Sequence, residues 1–434
     1  MKARPVGFLL NPACELIPCN IRQMDPTATH SSYIVLDNPN KAWTFAGLGS
    51  CLILPSCGVV QKYFGNLGLV FYLIAAPAFL WISYRFLSGL FLSRLSERQA
   101  LYLSVATFVA LGVMVAYVYP QANTHIVGHG SDADDALNLA VHELLNGRYP
   151  FYVETYLHNP IGILPGAVLL VLPFVLLGGS ASQNLFWLAA FFFSLSRTIS
   201  NWRLTLMLLW TVLIFSPVVM HQLVTGTDDV ANSIYILLFM LLVVRWTASA
   251  DAAVGKKVLA AVLLGIGLSS RANFVLVLPQ LFSELTRRAN WLVAAKYVAI
   301  VCAALLAVTL PFWLYDAERF SPIYNQANKV AAFRTLLPHA GFVIPVLGSC
   351  IALALGIQSL RRRKATWLRD CAIVQAFFVF CVVTLSIAQR GTFSLILISY
   401  GVFFMFFGVY ACWSRMFGGV PEPSAESSTL PLIR

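Results

Sequence analysis

Only 11% of the 434 residues are charged, while 59% are hydrophobic and 13% aromatic; soluble domains carry roughly one-quarter charged residues. That balance excludes a soluble globular chain and points to an all-α polytopic membrane protein, because a spanning segment must satisfy its own backbone hydrogen bonds. The net charge of +11 does not indicate nucleic acid, since the basic residues cluster between apolar runs and do not interleave with aromatics in a patch.

In chain order, residues 1–64 show no signal-peptide pattern after Lys2 and Arg4, have no assigned role, and hold one weak span at 43–60. The transmembrane domain occupies 65–416. Its apolar runs fall at 67–92, 100–120, 161–179, 182–196, 204–220, 231–244, 258–284, 291–314, 341–360, 371–388 and 393–413. At about 20 residues per crossing there is room for roughly eleven to thirteen spans. Residues 417–434 read as a disordered cytoplasmic tail. The nine cysteines form neither a disulfide framework nor a zinc-ligand spacing.

Arginine and lysine mark the cytoplasmic ends of spans. One set of connections, from Arg94 and Arg98 to the run around Arg361–Arg369 and Arg415, holds fifteen basic residues. The other, 121–160, 221–230, 315–340 and 390–392, holds five and is therefore assigned to the extracytoplasmic side. Two runs then need special treatment. The run 161–179, broken by Pro165 and Pro173, must be re-entrant or half-crossing. The run 258–284 has basic residues at both ends, so it is expected to enter and return with a turn near "SSRANF".

The first outer loop, 121–160, is where the acids concentrate. Asp132, Asp134 and Asp135 precede Leu137, Ala140, Val141, Leu144 and Leu145, whose spacing is that of one helical face. Ser131 can cap this helix with Asp134 completing a capping box, and Gly147 can end it. The result is a short amphipathic helix, expected to lie on the outer membrane surface. One or two aspartates at a helix start are ordinary caps, but three exceed that need.

On the same face, "TGTDD" places Asp228 and Asp229 at the start of a later span, as caps or as functional acids. Two acidic groups on one face suit a divalent cation, magnesium or manganese, with Asp134 and Asp228 as its candidate ligands, or a base with positioning acids. Arg271 is the one basic residue deep in an apolar run, and an intramembrane arginine is a functional candidate by default. Placed at the hairpin turn it can pair with a phosphate. Lys329 and Arg334 are secondary anion candidates, Tyr324 a stacking surface for a sugar, and His158 in "YLHNPIGILP" a further candidate. No Walker A, G-x-S-x-G or zinc-protease pattern occurs.

The order of these pieces resembles the GT-C superfamily of integral-membrane glycosyltransferases, especially bacterial branches related to protein mannosyltransferases. The resemblance rests on "SDADDALNLAVHELLNGRYPFY", then "HNPIGILP", "TGTDD" and "GIGLSSRANFVLVLP", and covers about residues 100–290. It implies a GT-C-like bundle and inverting transfer of a hexose, mannose for example, from a polyprenyl-phosphate donor to a lipid, glycan or protein acceptor. The site would face outward from a bacterial inner membrane. Either Asp132 or Asp134 matches the family's catalytic acid; the aromatic residue often found in the helix after that acid is missing here, its position being held by Ala136 or Asn138, so the choice between the two stays open. Asp135 and Asp228 would position groups or face a metal, with Asp229 beside them, and Arg271 would meet the donor phosphate. Competing classes are a polytopic transporter, which usually shows deep ionisable residues and an internal repeat, and an O-antigen ligase or polymerase, whose functional loop lies late in the chain.

Overall fold

The computed structural model describes residues 39–87, 94–126, 131–324, 332–362 and 366–417. The segment before residue 39, Lys329 and the tail after residue 417 lie outside them. The described residues form an all-helical membrane bundle with no strand and one isolated bridge, between Glu154 and Pro160. Its helices are α1 (Pro39–Ile53), α2 (Cys57–Ile82), α3 (Glu97–Ala122), α4 (Asp132–Leu145), α5 (Pro165–Leu176), α6 (Ser182–Ile199), α7 (Trp202–Phe215) and α8 (Pro217–Thr225). They continue with α9 (Asp229–Ala248), α10 (Val254–Leu268), α11 (Leu278–Arg288), α12 (Trp291–Tyr315), α13 (Ala340–Arg361), α14 (Trp367–Arg390) and α15 (Val402–Phe417).

Among the described residues, seven stretches are long and apolar enough to cross a membrane, or eight if the bent pair α7–α8 counts as one span. This is fewer than the eleven to thirteen expected, and the physical reason is length and direction. The run 161–179 folds as the 12-residue α5, and 258–284 is divided between the 15-residue α10 and the 11-residue α11. At 1.5 Å per residue these reach about 16–23 Å, short of a ~30 Å core. Between α7 and α8 the chain turns by 80° at Ser216–Pro217, where proline has no amide hydrogen to continue the helix.

The longest apolar stretch, Ala42–Phe86, doubles back. Phe45 meets Tyr84, with ring centroids 4.8 Å apart, and Gly49 touches Leu80, so its two arms are antiparallel. The reversal centres on Gly65, whose φ of 66° glycine adopts without a Cβ penalty. The sequence division at 64/65 thus falls on a hairpin tip, and the arm before it contributes Leu48, Leu52 and Ile53 to the main core.

A second reversal lies at Ser269–Arg271. Gly265 packs on Val301 and Ala304, and the Ser269 and Thr309 hydroxyls are 2.7 Å apart, so α10 and α12 run parallel. The intervening α11 must therefore run the opposite way. Gly166 seats α5 against this apex: its amide donates to the Ser269 carbonyl at 2.7 Å, and a Cβ there would lie 2.1 Å from the Ile266 carbonyl oxygen.

The connections assigned by charge to one side meet at one end. Asn123 donates to the Val224 carbonyl, the Tyr149 hydroxyl to that of Phe312, Ser321 to that of Ile161 and Gln61 to that of Phe393. At the opposite end the buried carboxylates of Glu284 and Asp370 each hold two arginines, Arg287 with Arg288 and Arg362 with Arg369. The amphipathic α4 does not spread its apolar face on lipid. Leu137, Ala140 and Val141 are fully buried against Ile161, Ile163, Val168, Val171 and Phe320. The stripe that sequence alone assigns to a membrane surface is covered by α5 and its flanking loops.

Candidate functional site

The site begins where two helices are interrupted. After α8, Gly226 (φ 72°) turns the chain into α9, and Asp228 occupies the N-cap position without making a capping hydrogen bond. Its side chain is spent elsewhere. One oxygen accepts from Arg271 Nη2 at 2.6 Å and the other from Asn232 at 2.7 Å, while Asn232 in turn accepts from the Tyr235 hydroxyl. Asp229 lies 3.3 Å from the same Nη2, and Gln222 donates to it at 3.4 Å. Both aspartates are almost completely buried. Arg271 sits at the reversal between α10 and α11, its side chain 15% exposed. Its Nε is buried with no hydrogen-bond partner. A cavity of about 150 Å³ adjoins it, walled by Leu164, Pro322 and Ile323 together with Gly162, Ser270 and Ala272.

The three aspartates of α4 divide their work. Ser131, not an aspartate, caps the helix, accepting from the Ala133 amide at 3.2 Å, so the expected capping box does not form. Asp132 is partly exposed and accepts from Asn159 Nδ2 at 2.6 Å and the Thr155 hydroxyl at 3.3 Å. Asp135 accepts from the Tyr156 amide at 2.9 Å. Together they pin the tight turn 154–160. The three carboxylates and its partial burial push the Tyr156 hydroxyl up, burial being the larger cause.

Asp134 lies behind them, 3% exposed. One oxygen accepts from the Tyr119 hydroxyl at 2.8 Å and the other is buried without a partner. Burial pushes its carboxyl up to about 6, partly opposed by the Tyr119 bond. A Cβ on Gly226 would lie 2.9 Å from that of Asp134, which sets the acid helix directly against the turn into Asp228. The acid loop, the "TGTDD" turn and the "SSRANF" turn therefore meet in one place.

Other sequence candidates are not drawn in. His158 is a left-handed turn residue (φ 58°) with a 90% exposed side chain, 3.8 Å from Glu154. Arg334 is exposed in a short 3-10 helix, and Tyr324 is 46% exposed. Lys329 lies outside the described residues. The donor set does not fit a divalent cation: among the described residues no group of three or more His, Cys, Asp or Glu side chains is placed to hold one. Asp134 is turned to Tyr119, and Asp228 to Arg271 and Asn232.

Several contributors carry no signal in a single sequence. Tyr119 ends an apolar span, Asn159 and Thr155 sit in a loop, and Asn232 and Tyr235 read as ordinary span residues. Only their three-dimensional partners distinguish them. Fold and site together define a polytopic helical membrane protein with a buried acid–arginine centre near one end of its bundle. No protein-family model matches the chain, and neither a curated protein nor a solved structure does.

Proposed function

We propose that the protein is an inverting membrane glycosyltransferase of the GT-C kind. It moves a hexose from a polyprenyl-phosphate donor to a hydroxyl of a lipid, glycan or protein acceptor at the extracytoplasmic face of a bacterial cytoplasmic membrane. Asp132 is the base: of the three acids in α4, Asp134 is buried against Tyr119 and Asp135 is bonded to the Tyr156 amide, whereas Asp132 is partly open and takes Asn159 and Thr155 on one and the same oxygen. The acceptor oxygen attacks the anomeric carbon as its proton passes to Asp132. The bond from that carbon to the phosphate oxygen breaks, and its electron pair leaves with the phosphate. Arg271 stabilises the departing charge through donors not engaged by Asp228 and Asp229, which hold the guanidinium in place. Asp134 and Asp135 fix the start of α4.

The observation that carries this reading is Arg271 Nε, a buried donor without an acceptor, next to a cavity with apolar walls. A buried donor without a partner is costly, and an anion on an apolar stem satisfies both the donor and the walls.

Depth supports an interfacial reaction over transport. Ser269 is level with Thr309 of α12, eighteen residues above Trp291, hence about 27 Å along a helix about 37 Å long. The polar centre thus lies near one face of the ~30 Å core. A transporter is the second reading, favoured by the two interrupted helices that meet at a buried ion pair, but transporter sites usually lie near the midplane.

The test is sugar transfer from a labelled polyprenyl-phosphate sugar in membranes, comparing wild type with Asp132→Asn, Asp134→Asn, Asp135→Asn and Arg271→Lys. Asp132→Asn should lose at least about 100-fold in rate. Full activity in all three aspartate variants would sink the assignment, and solute uptake by proteoliposomes down an ion gradient would replace it with transport.

A further inference from the structure

The tip of the first hairpin carries a polar cluster that the acid–arginine centre does not use. Gly65 reverses the chain there, and Gln61 fixes the tip to the segment before α15 by donating to the Phe393 carbonyl and accepting from the Leu395 amide. The two residues that follow Gln61 are exposed. Lys62 extends its ammonium to 5.2 Å from the Tyr63 ring, and it forms no ion pair among the described residues, although this end of the bundle is the acid-rich one. The Tyr63 hydroxyl lies 3.3 Å from His221 Nε2, which reaches the tip from α8. An amine, a phenol and an imidazole thus converge at the end of the hairpin.

On the arm that runs down from the Gly65 tip, the outward face of α2 is apolar and bare. Leu67 is 84% exposed, Phe71 71% and Ile74 68%, at the i, i+4, i+7 spacing of one helical stripe. Ile74 lies nine residues past the Gly65 tip, about 14 Å along the second arm, comparable to one leaflet of a ~30 Å hydrocarbon core. A cationic head above an apolar stripe of that length matches the shape and charge of a single phospholipid.

We infer that this tip is a binding site for an anionic membrane lipid, its phosphate held by Lys62, Tyr63 and His221 and its acyl chains lying along Leu67, Phe71 and Ile74. Lys62 supplies the charge, and the Tyr63 hydroxyl donates to a phosphate oxygen, as does His221 through a ring N–H. Because Gln222, the neighbour of His221, contacts Asp229, the lipid also braces the helix that frames the acid–arginine centre. The inference is independent of the sugar-transfer reading.

The test uses the purified full chain in detergent with equimolar phosphatidylglycerol and phosphatidylcholine, counting retained lipids by native mass spectrometry. Wild type should retain phosphatidylglycerol in preference. The double variant Lys62→Gln/Tyr63→Phe should retain about fivefold less of it, and Lys62→Arg should keep it. Lys296→Gln, an exposed lysine on α12 near its basic end, should leave it unchanged. Lys62 and Tyr63 are exposed, so these substitutions leave the core intact. Equal retention of the two lipids by wild type, or undiminished retention by the double variant, overturns the inference. Displacement of the lipid by inorganic phosphate alone would assign the cluster to free phosphate and overturn it as well.

Discussion

Arg271→Ala removes the cation shared by two carboxylates. Asp228 and Asp229 contact the same nitrogen, Nη2, at 2.6 and 3.3 Å, and their side chains are 1% and 3% exposed. Without Arg271 they become two like charges that have lost their shared cation in a water-poor site. Charges ~4 Å apart interact by about 4 kcal/mol at an effective dielectric of ~20, and removing one partner of a buried pair costs about 3–5 kcal/mol. Arg271→Ala should therefore destabilise by that amount. The informative variant is Asp228→Asn. In the wild-type background it removes half of a buried ion pair and destabilises by roughly 1–3 kcal/mol; an asparagine still accepts from Asn232 through its amide oxygen. In the Arg271→Ala background it removes one of two repelling carboxylates, so it should restore roughly 2–4 kcal/mol. The same substitution changes sign. Denaturant unfolding in micelles followed by tryptophan fluorescence, with all four proteins, closes the double-mutant cycle. Additive losses in the double variant would refute the view that Arg271 exists to neutralise these carboxylates.

Asp134 makes stability depend on pH in an unusual direction. Its carboxyl is raised from 3.8 to about 6 in the folded chain, so between those values the folded state binds more protons than the unfolded one and stability falls as pH rises. Asp134→Asn, which mimics the protonated form, should raise the melting temperature at pH 8 and leave it nearly unchanged at pH 4; a gain that is equal at both pH values contradicts this. Gly166→Ala places a methyl 2.1 Å from the Ile266 carbonyl oxygen and 2.7 Å from the Ser269 backbone, atoms that cannot swing aside, so it should cost about 1–3 kcal/mol and lower the yield of monodisperse protein. Gly255→Ala, which meets nothing within 4 Å, is the matched control and should extract like wild type.

Much of this site was legible because the relevant signals are local or set by charge. Hydropathy gave the membrane class, and the partition of arginine and lysine grouped 121–160, 221–230 and 315–340 at one end. The need for 258–284 to return placed its turn at "SSRANF", where the chain does reverse. What failed depends on packing partners, which one sequence does not encode locally. The apolar stripe of α4 has the same periodicity whether lipid or α5 covers it. The reversal at Gly65 is marked only by Gln61, Lys62 and the Gly65–Asn66 pair between two apolar arms, too short a polar interruption to stand out from hydropathy. His158 lies in the turn that Asp132 holds through Asn159 and Thr155, and its side chain is exposed. Tyr119 was invisible because a tyrosine at the end of a span reads as an interfacial anchor, and only the 2.8 Å contact with Asp134 separates the two roles.

Under the proposed sugar transfer, the acid–arginine centre also constrains the kind of donor it could accept. Asp228 and Asp229 both contact Arg271 Nη2, so two carboxylates offset the cation and weaken its pull on a free anion from solution. A water-soluble nucleotide-sugar, which carries two phosphates and relies on cationic steering, is poorly matched to such a field. A lipid-linked phosphate needs no steering, because its apolar tail already confines it to the bilayer and delivers it by lateral diffusion. What the protein must then supply is a donor fixed at the phosphate before reaction begins. Arg271, clamped on Nη2 with its buried Nε unpartnered, would meet that requirement, since a guanidinium held in place need not reorganise as charge develops on the leaving oxygen. The two buried aspartates that weaken the attraction for soluble anions are the same groups that hold the arginine rigid.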